Sequence, residues 1–155
     1  MQDDRSKKSE QEIDFGVLGE FLGYRLRRAQ MNFFAKFGEV CEDLGISPGL
    51  FAVLAIVDRN PGLTQTAVAQ ALGNDRSAMV AAVDKLEGKN LLERRPAVND
   101  RRSYALFMTE EGNRFFANAV ERVSRYENEM AKCLKDDSEK EWLLDALERL
   151  ANKSL

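Results

Sequence analysis

The sequence predicts a mainly α chain with one small β-hairpin. Three observations predict it. Apolar residues recur at three- and four-residue spacing through most of the 155 residues. Capping and breaking residues cut that pattern into six helical segments. Only between Leu91 and Met108 does it give way to two short extended runs about a polar turn.

The first helix is expected over Phe15 to Leu44, on the stripe Phe15, Leu18, Leu22, Leu26, Ala29, Phe33, Phe37, Val40 and Leu44. Gly16, Gly19 and Gly23 soften it, and Gly45 caps its end. Ser47-Pro48 starts the second helix, a cap residue followed by a proline whose missing N–H costs nothing there. That helix runs to about Arg59, and Asn60-Pro61-Gly62 breaks it. Thr64 caps a short third helix, Gln65 to Leu72, closed by Gly73. Asn74 or Asp75 caps a fourth, to about Gly88, with Met79, Val83 and Leu86 facing the core. Two helices joined by a tight glycine turn make a helix-turn-helix. Leu91 to Pro96 and Ser103 to Met108 then form a hairpin with a charged tip, with Leu106 and Met108 on one face and Pro96 at a strand end. Thr109 caps a long fifth helix with Glu110 and Glu111 in its first turn, where negative charge suits the helix dipole. Its apolar line runs from Phe115 to Leu134. Ser138 and Glu141 read as a capping box ahead of the last helix, which carries Trp142, Leu143, Ala146, Leu147 and Leu150.

Composition narrows the function. There is no histidine, so no imidazole base, Ser-His or Cys-His dyad, or histidine-rich metal site can form within the chain. No Gly-rich phosphate loop is present. No catalytic residues, metal or cofactor are expected, and the chain does not read as an enzyme. Cys41 and Cys133 are too far apart in sequence for a disulfide framework. No apolar run approaches the roughly 20 residues of a membrane span. Residues 1–12 are polar and mixed in charge, which reads as a mobile tail rather than a signal or anchor. A cytoplasmic protein is expected. The net charge of −3 looks wrong for a nucleic-acid binder, but the distribution matters more. From Arg59 to Arg102 eight basic residues face five acidic ones, a local +3 against −6 elsewhere.

The order helix, helix, helix-turn-helix, hairpin, long helix, short helix is that of a winged helix with helical extensions. Two stretches are similar to the signature of MarR-type regulators: Leu63 to Glu87 continuing through Gly88 to Arg95, and Asn99-Asp100-Arg101-Arg102 followed by Met108-Thr109-Glu110-Glu111-Gly112. The resemblance covers Gly45 to Arg114. It implies a DNA-binding domain over 46–108, a helical dimerisation region over 13–45 and 109–155, and a homodimer acting on double-stranded DNA. It also implies a repressor that a small molecule releases.

The residues suit that reading. A helix fits the major groove, and residues at its N-terminal end reach base edges. Here those are Arg76, Ser77, Val80 and Ala81, with Arg76 able to donate bidentately to guanine. Thr64, Gln65 and Thr66 can offer hydroxyl, amide and backbone donors to phosphate. An arginine on the hairpin tip can enter the minor groove. The family's Asp-x-Arg pattern falls on Asp100 and Arg102, with Arg101 a second candidate and Asp100 orienting an arginine. Two such helices about one DNA turn apart read a palindrome, which requires a dimer.

The resemblance places an effector between the helical region and the winged helix. The matching residues are Tyr24, Arg25, Arg28 and Met31, then Leu50, Phe51, Leu54 and Phe115. Basic and aromatic residues together suit an aromatic carboxylate or its coenzyme A thioester. The competing reading makes these arginines surface residues, or partners of Glu20 or Glu39. Two further alternatives are a cysteine-based redox sensor and a winged-helix interaction module without DNA binding.

Overall fold

The computed structural model describes residues 13–98 and 103–153; the expected N-terminal tail lies outside them. The chain divides into two units, one ending at Phe33 and one beginning at Phe34.

In the first unit the expected continuous helix is interrupted. Gly16–Glu20 forms a 3-10 turn, entered at Gly16 with a left-handed φ of 49°, its N–H held 2.8 Å from Asp14 Oδ1. Phe21 is extended, and only at Leu22 does α1 (Leu22–Val40) begin. Three glycines within eight residues make a regular helix costly there, about 1 kcal/mol each against alanine. None of the described residues of this unit is buried. The far end is shortened too: α1 stops at Val40, and a 3-10 turn, Glu42–Leu44, tightens into left-handed Gly45.

In the second unit the core gathers around α2 (Pro48–Arg59), where Val53, Leu54 and Val57 have no exposure. Ser47 caps it, its Oγ accepting from the Leu50 N–H at 3.3 Å. Against it pack α3 (Gln65–Leu72), α4 (Arg76–Gly88) and α5 (Glu110–Ala131). Val68, Met79, Val83 and Leu86 enter the same core completely.

The hairpin is β1 (Leu92–Pro96) antiparallel to β2 (Tyr104–Met108), in register from Leu92 opposite Met108 to Pro96 opposite Tyr104. Its outer side is covered. Gly62 N–H donates to Leu106 O, Leu106 N–H donates to Leu63 O, and Thr64 bridges Ala105. This third segment buries Ala105 alongside Leu106, so β2 does not show the clean alternation expected of a two-stranded ribbon.

Two further expectations are corrected. Leu134 lies in the turn after α5, which ends at Ala131. The cap of α6 (Asp137–Ala151) is Asp136, not Ser138. Its Oδ1 accepts from both the Glu139 N–H (2.9 Å) and the Ser138 hydroxyl (2.6 Å), while Glu139 reaches back to the Lys135 N–H. A carboxylate is the stronger acceptor at a helix start, and those two donors hold Asp136 below the usual carboxylate range.

Candidate nucleic-acid interface

The α3–turn–α4 pair is defined by caps. Thr64 Oγ1 accepts from the Ala67 N–H at 3.2 Å and starts α3. Left-handed Gly73 (φ 65°) ends it, and the Asn74 N–H returns to Ala69 O at 2.9 Å. Asp75, rather than Asn74, caps α4, its Oδ1 accepting from the Ala78 N–H at 2.8 Å. With Met79, Val83 and Leu86 in the core, the helix presents Arg76, Ser77, Val80 and Ala81 on its exposed side. These four predicted contact residues are brought together at one helix start.

The α3 candidates fare differently. Thr66 is exposed, whereas Thr64 is half-buried with its oxygen engaged as the cap. Gln65 accepts from Arg94 Nε at 3.1 Å, which leaves its amide NH2 as the group able to reach a phosphate. Asp100, Arg101 and Arg102 lie outside the described residues. The described hairpin reaches the Ala97 N–H to Ser103 O pair at 3.0 Å.

Two features were not singled out in the sequence. Arg94, on β1, donates to Glu87 and Asp84 of α4, both at 2.6 Å, with its side chain 17% exposed. Period-2 alternation puts Arg94 on the side of buried Leu92, a signal that its guanidinium needs partners, though alternation does not say which. Arg95, on the other face, pairs with Glu93 and lies 4.3 Å over the Phe107 ring. The second feature is the joint between the end of α4 and the start of α5. Asn90, left-handed at φ 57°, sits at the turn. Thr109 Oγ1 donates to Asn90 O (2.6 Å) while accepting from the Gly112 N–H (2.8 Å). Asn90 Nδ2 donates to Glu111 Oε2 at 2.8 Å. The Thr-x-x-Gly motif of the sequence is therefore a structural lock on the root of α5.

The proposed effector residues divide between the two units. In the first, Arg25 Nε donates to Gly19 O at 2.7 Å, and Arg28 lies 5.0 Å over the Phe15 ring, with Tyr24 5.8 Å from the same ring. Met31 is exposed; Glu39, in the second unit, pairs with Lys36 of that unit. In the second, Leu50 and Leu54 are core residues. Phe51 is half-buried, with Phe37 and Phe116 within 5.8 Å, and Phe115 packs on the same core. A cavity of about 600 Å³ in this unit is lined by none of the eight. Val40, Tyr126 and Met130 form its apolar wall, and Lys36, Arg122, Arg125 and Glu129 its polar side. Burial raises the Tyr126 hydroxyl far above the usual phenol range, with Glu127 adding to it, so this wall is neutral. Cys41 is buried and its thiol is pushed up by that burial, which disfavours the reactive thiolate; Cys133 is exposed.

Comparison with known proteins agrees with this geometry. The MarR family model matches residues 44–103. A Thauera aromatica protein named as a transcriptional regulator for the hcr operon is 36% identical over 140 residues, 90% of this chain and 84% of that protein. The solved structure of the transcriptional repressor CouR bound to a 23-mer DNA duplex superposes with a TM-score of 0.85, at 37% identity, covering 91% of this chain and 99% of that one. The same repressor bound to p-coumaroyl-CoA gives a TM-score of 0.83 at 35% identity, over 92% of this chain and 100% of that one. With the caps, the helix-turn-helix and the hairpin all in place, this chain belongs to the MarR family of winged-helix, DNA-binding transcription regulators.

Proposed function

We propose that this protein is a homodimeric repressor that binds a palindromic operator and is released by an aromatic acid or its coenzyme A thioester. The observation that carries the DNA half is the start of α4. Arg76, Ser77, Val80 and Ala81 stand exposed together above a fully buried stripe, on a helix capped at Asp75. In this reading α4 enters the major groove, and Arg76 donates to a guanine. Thr66 and the Gln65 amide meet phosphates, Thr64 contributes mainly by capping α3, and Arg102 or Arg101, oriented by Asp100, reaches the minor groove. Binding to enriched and random duplexes, followed by fluorescence anisotropy across a salt series, tests it. Arg76→Ala is expected to cost about 1–3 kcal/mol on the enriched duplex and to relax specificity at one position. Salt-independent binding, or an Arg76→Ala protein that discriminates normally, would refute it.

The effector half rests on two supports: the likeness to a repressor solved with p-coumaroyl-CoA, and an aromatic core bordered by basic side chains. Derepression requires the effector to favour a DNA-incompetent arrangement of the dimer. A thermal-shift panel of phenolic acids and their coenzyme A thioesters should show stabilisation by at least one member, and that member should weaken DNA binding. A panel without effect removes this half and leaves the first intact.

A further inference from the structure

Arg94 is used unlike any other described arginine. Its fork is committed in three directions: Nε to Gln65 Oε1 (3.1 Å), Nη1 to Glu87 Oε2 (2.6 Å) and Nη2 to Asp84 Oδ1 (2.6 Å). The same residue's backbone N–H donates to Glu87 Oε1 at 3.1 Å, and Nη2 also approaches Val80 O at 3.5 Å. One side chain on β1 thus holds the first residue of α3 and two successive turns of α4. A guanidinium is planar and its donors point in fixed directions, so three anchors define rotation as well as distance. An ammonium supplies the charge without that geometry.

The partners matter as much as the clamp. Asp84 lies seven residues beyond Ser77, two helical turns along the same exposed stripe. Its carboxylate, with that of Glu87, would face the phosphates of a duplex seated there. Arg94 neutralises both from behind.

We infer that Arg94 is the positioning residue of the DNA-reading helix: it fixes the pose of α4 through Asp84, Glu87 and Gln65, and offsets two carboxylates, without itself touching a base or phosphate. The inference rests on the reading of α4 given above. A duplex enriched from a random-sequence library by the unmodified full chain serves as probe, with a random duplex of equal length as reference. Affinity for both is measured over a salt series for the unmodified chain, Arg94→Lys, Arg94→Gln and Arg76→Ala, with thermal unfolding run in parallel. Arg94→Lys is expected to fold and to lose about tenfold in the ratio of enriched to random affinity, as expected for loss of charge-assisted hydrogen bonds. Its salt slope on the random duplex should not change. Arg94→Gln should lose at least as much. If it does not unfold cooperatively, Glu87→Gln takes its place, with the ratio falling although a negative charge has been removed. An unchanged ratio in Arg94→Lys overturns the inference. So does a fall of about one in the salt slope of Arg94→Gln, the mark of a direct phosphate contact. A ratio lost in Arg76→Ala but kept in Arg94→Lys overturns the inference alone; failure of the unmodified chain to enrich any duplex overturns the reading of α4 as well.

Discussion

A Cβ on Gly112 would stand 2.0 Å from the Leu91 carbonyl oxygen, well inside contact distance, and the obstacle is backbone that cannot swing away. Gly112→Ala should therefore cost about 3 kcal/mol or more, read as a lower urea midpoint. A midpoint equal to the parent's would show that α5 can shift freely at its root. Asp43 gives a pH-dependent case. The hydrogen bond from Arg122 (2.6 Å) holds its carboxyl below the ordinary range, with the charge of Arg122 adding to the effect. Its contribution is present above the ordinary carboxylate pKa and is lost as pH falls through the lowered one. Acidification should lower the thermal midpoint more steeply in the parent than in Asp43→Asn; parallel curves would remove Asp43 from the account. The two cysteines should separate by accessibility, iodoacetamide labelling Cys133 in the native state and Cys41 only after denaturation.

At the scale of the element, caps set where α3 and α4 begin. Asp75→Ala removes the acceptor of the Ala78 N–H and should cost about 1 kcal/mol, measured by chemical unfolding. Caps also explain what could be read in advance. Ser47-Pro48, Thr64, Gly73 and Thr109 are local signals whose partners lie within a few residues, so the bounds of α2, α3 and the start of α5 were legible. The break at Phe21 was not, because glycines permit an interruption without fixing its place. The start of α6 was misassigned because Asp136 and Ser138 both suit a cap, and the carboxylate took it. Ala105 is buried by a bridge to Thr64, 41 residues earlier, which no alternation within the strand encodes. Of the interface, the α4 cluster was legible from helical spacing. The part played by Arg94 was not, because its partners lie on two helices that only the fold brings to β1.

For the whole molecule, the outstanding fact is a helix that fully buries none of its residues. The 15 residues of α6 include none that is buried, and Trp142, Leu144, Leu147 and Leu150 are all exposed. A helix of that length is marginal in water unless something covers its apolar face. In the homodimer proposed above, the second chain covers it. Sedimentation should then give a dimer, and the thermal midpoint should rise with protein concentration. Leu147→Asp should yield monomers with weakened operator binding, and a concentration-independent midpoint would refute the arrangement. The small sheet has the opposite character. One side of the hairpin is occupied by Gly62 to Thr64, and the other carries Glu93, Arg94, Arg95 and Pro96. Charges and a proline are poor templates for strand addition. The hairpin therefore resists edge-to-edge aggregation on both sides, while the apolar side chains of α6 stay open to contact.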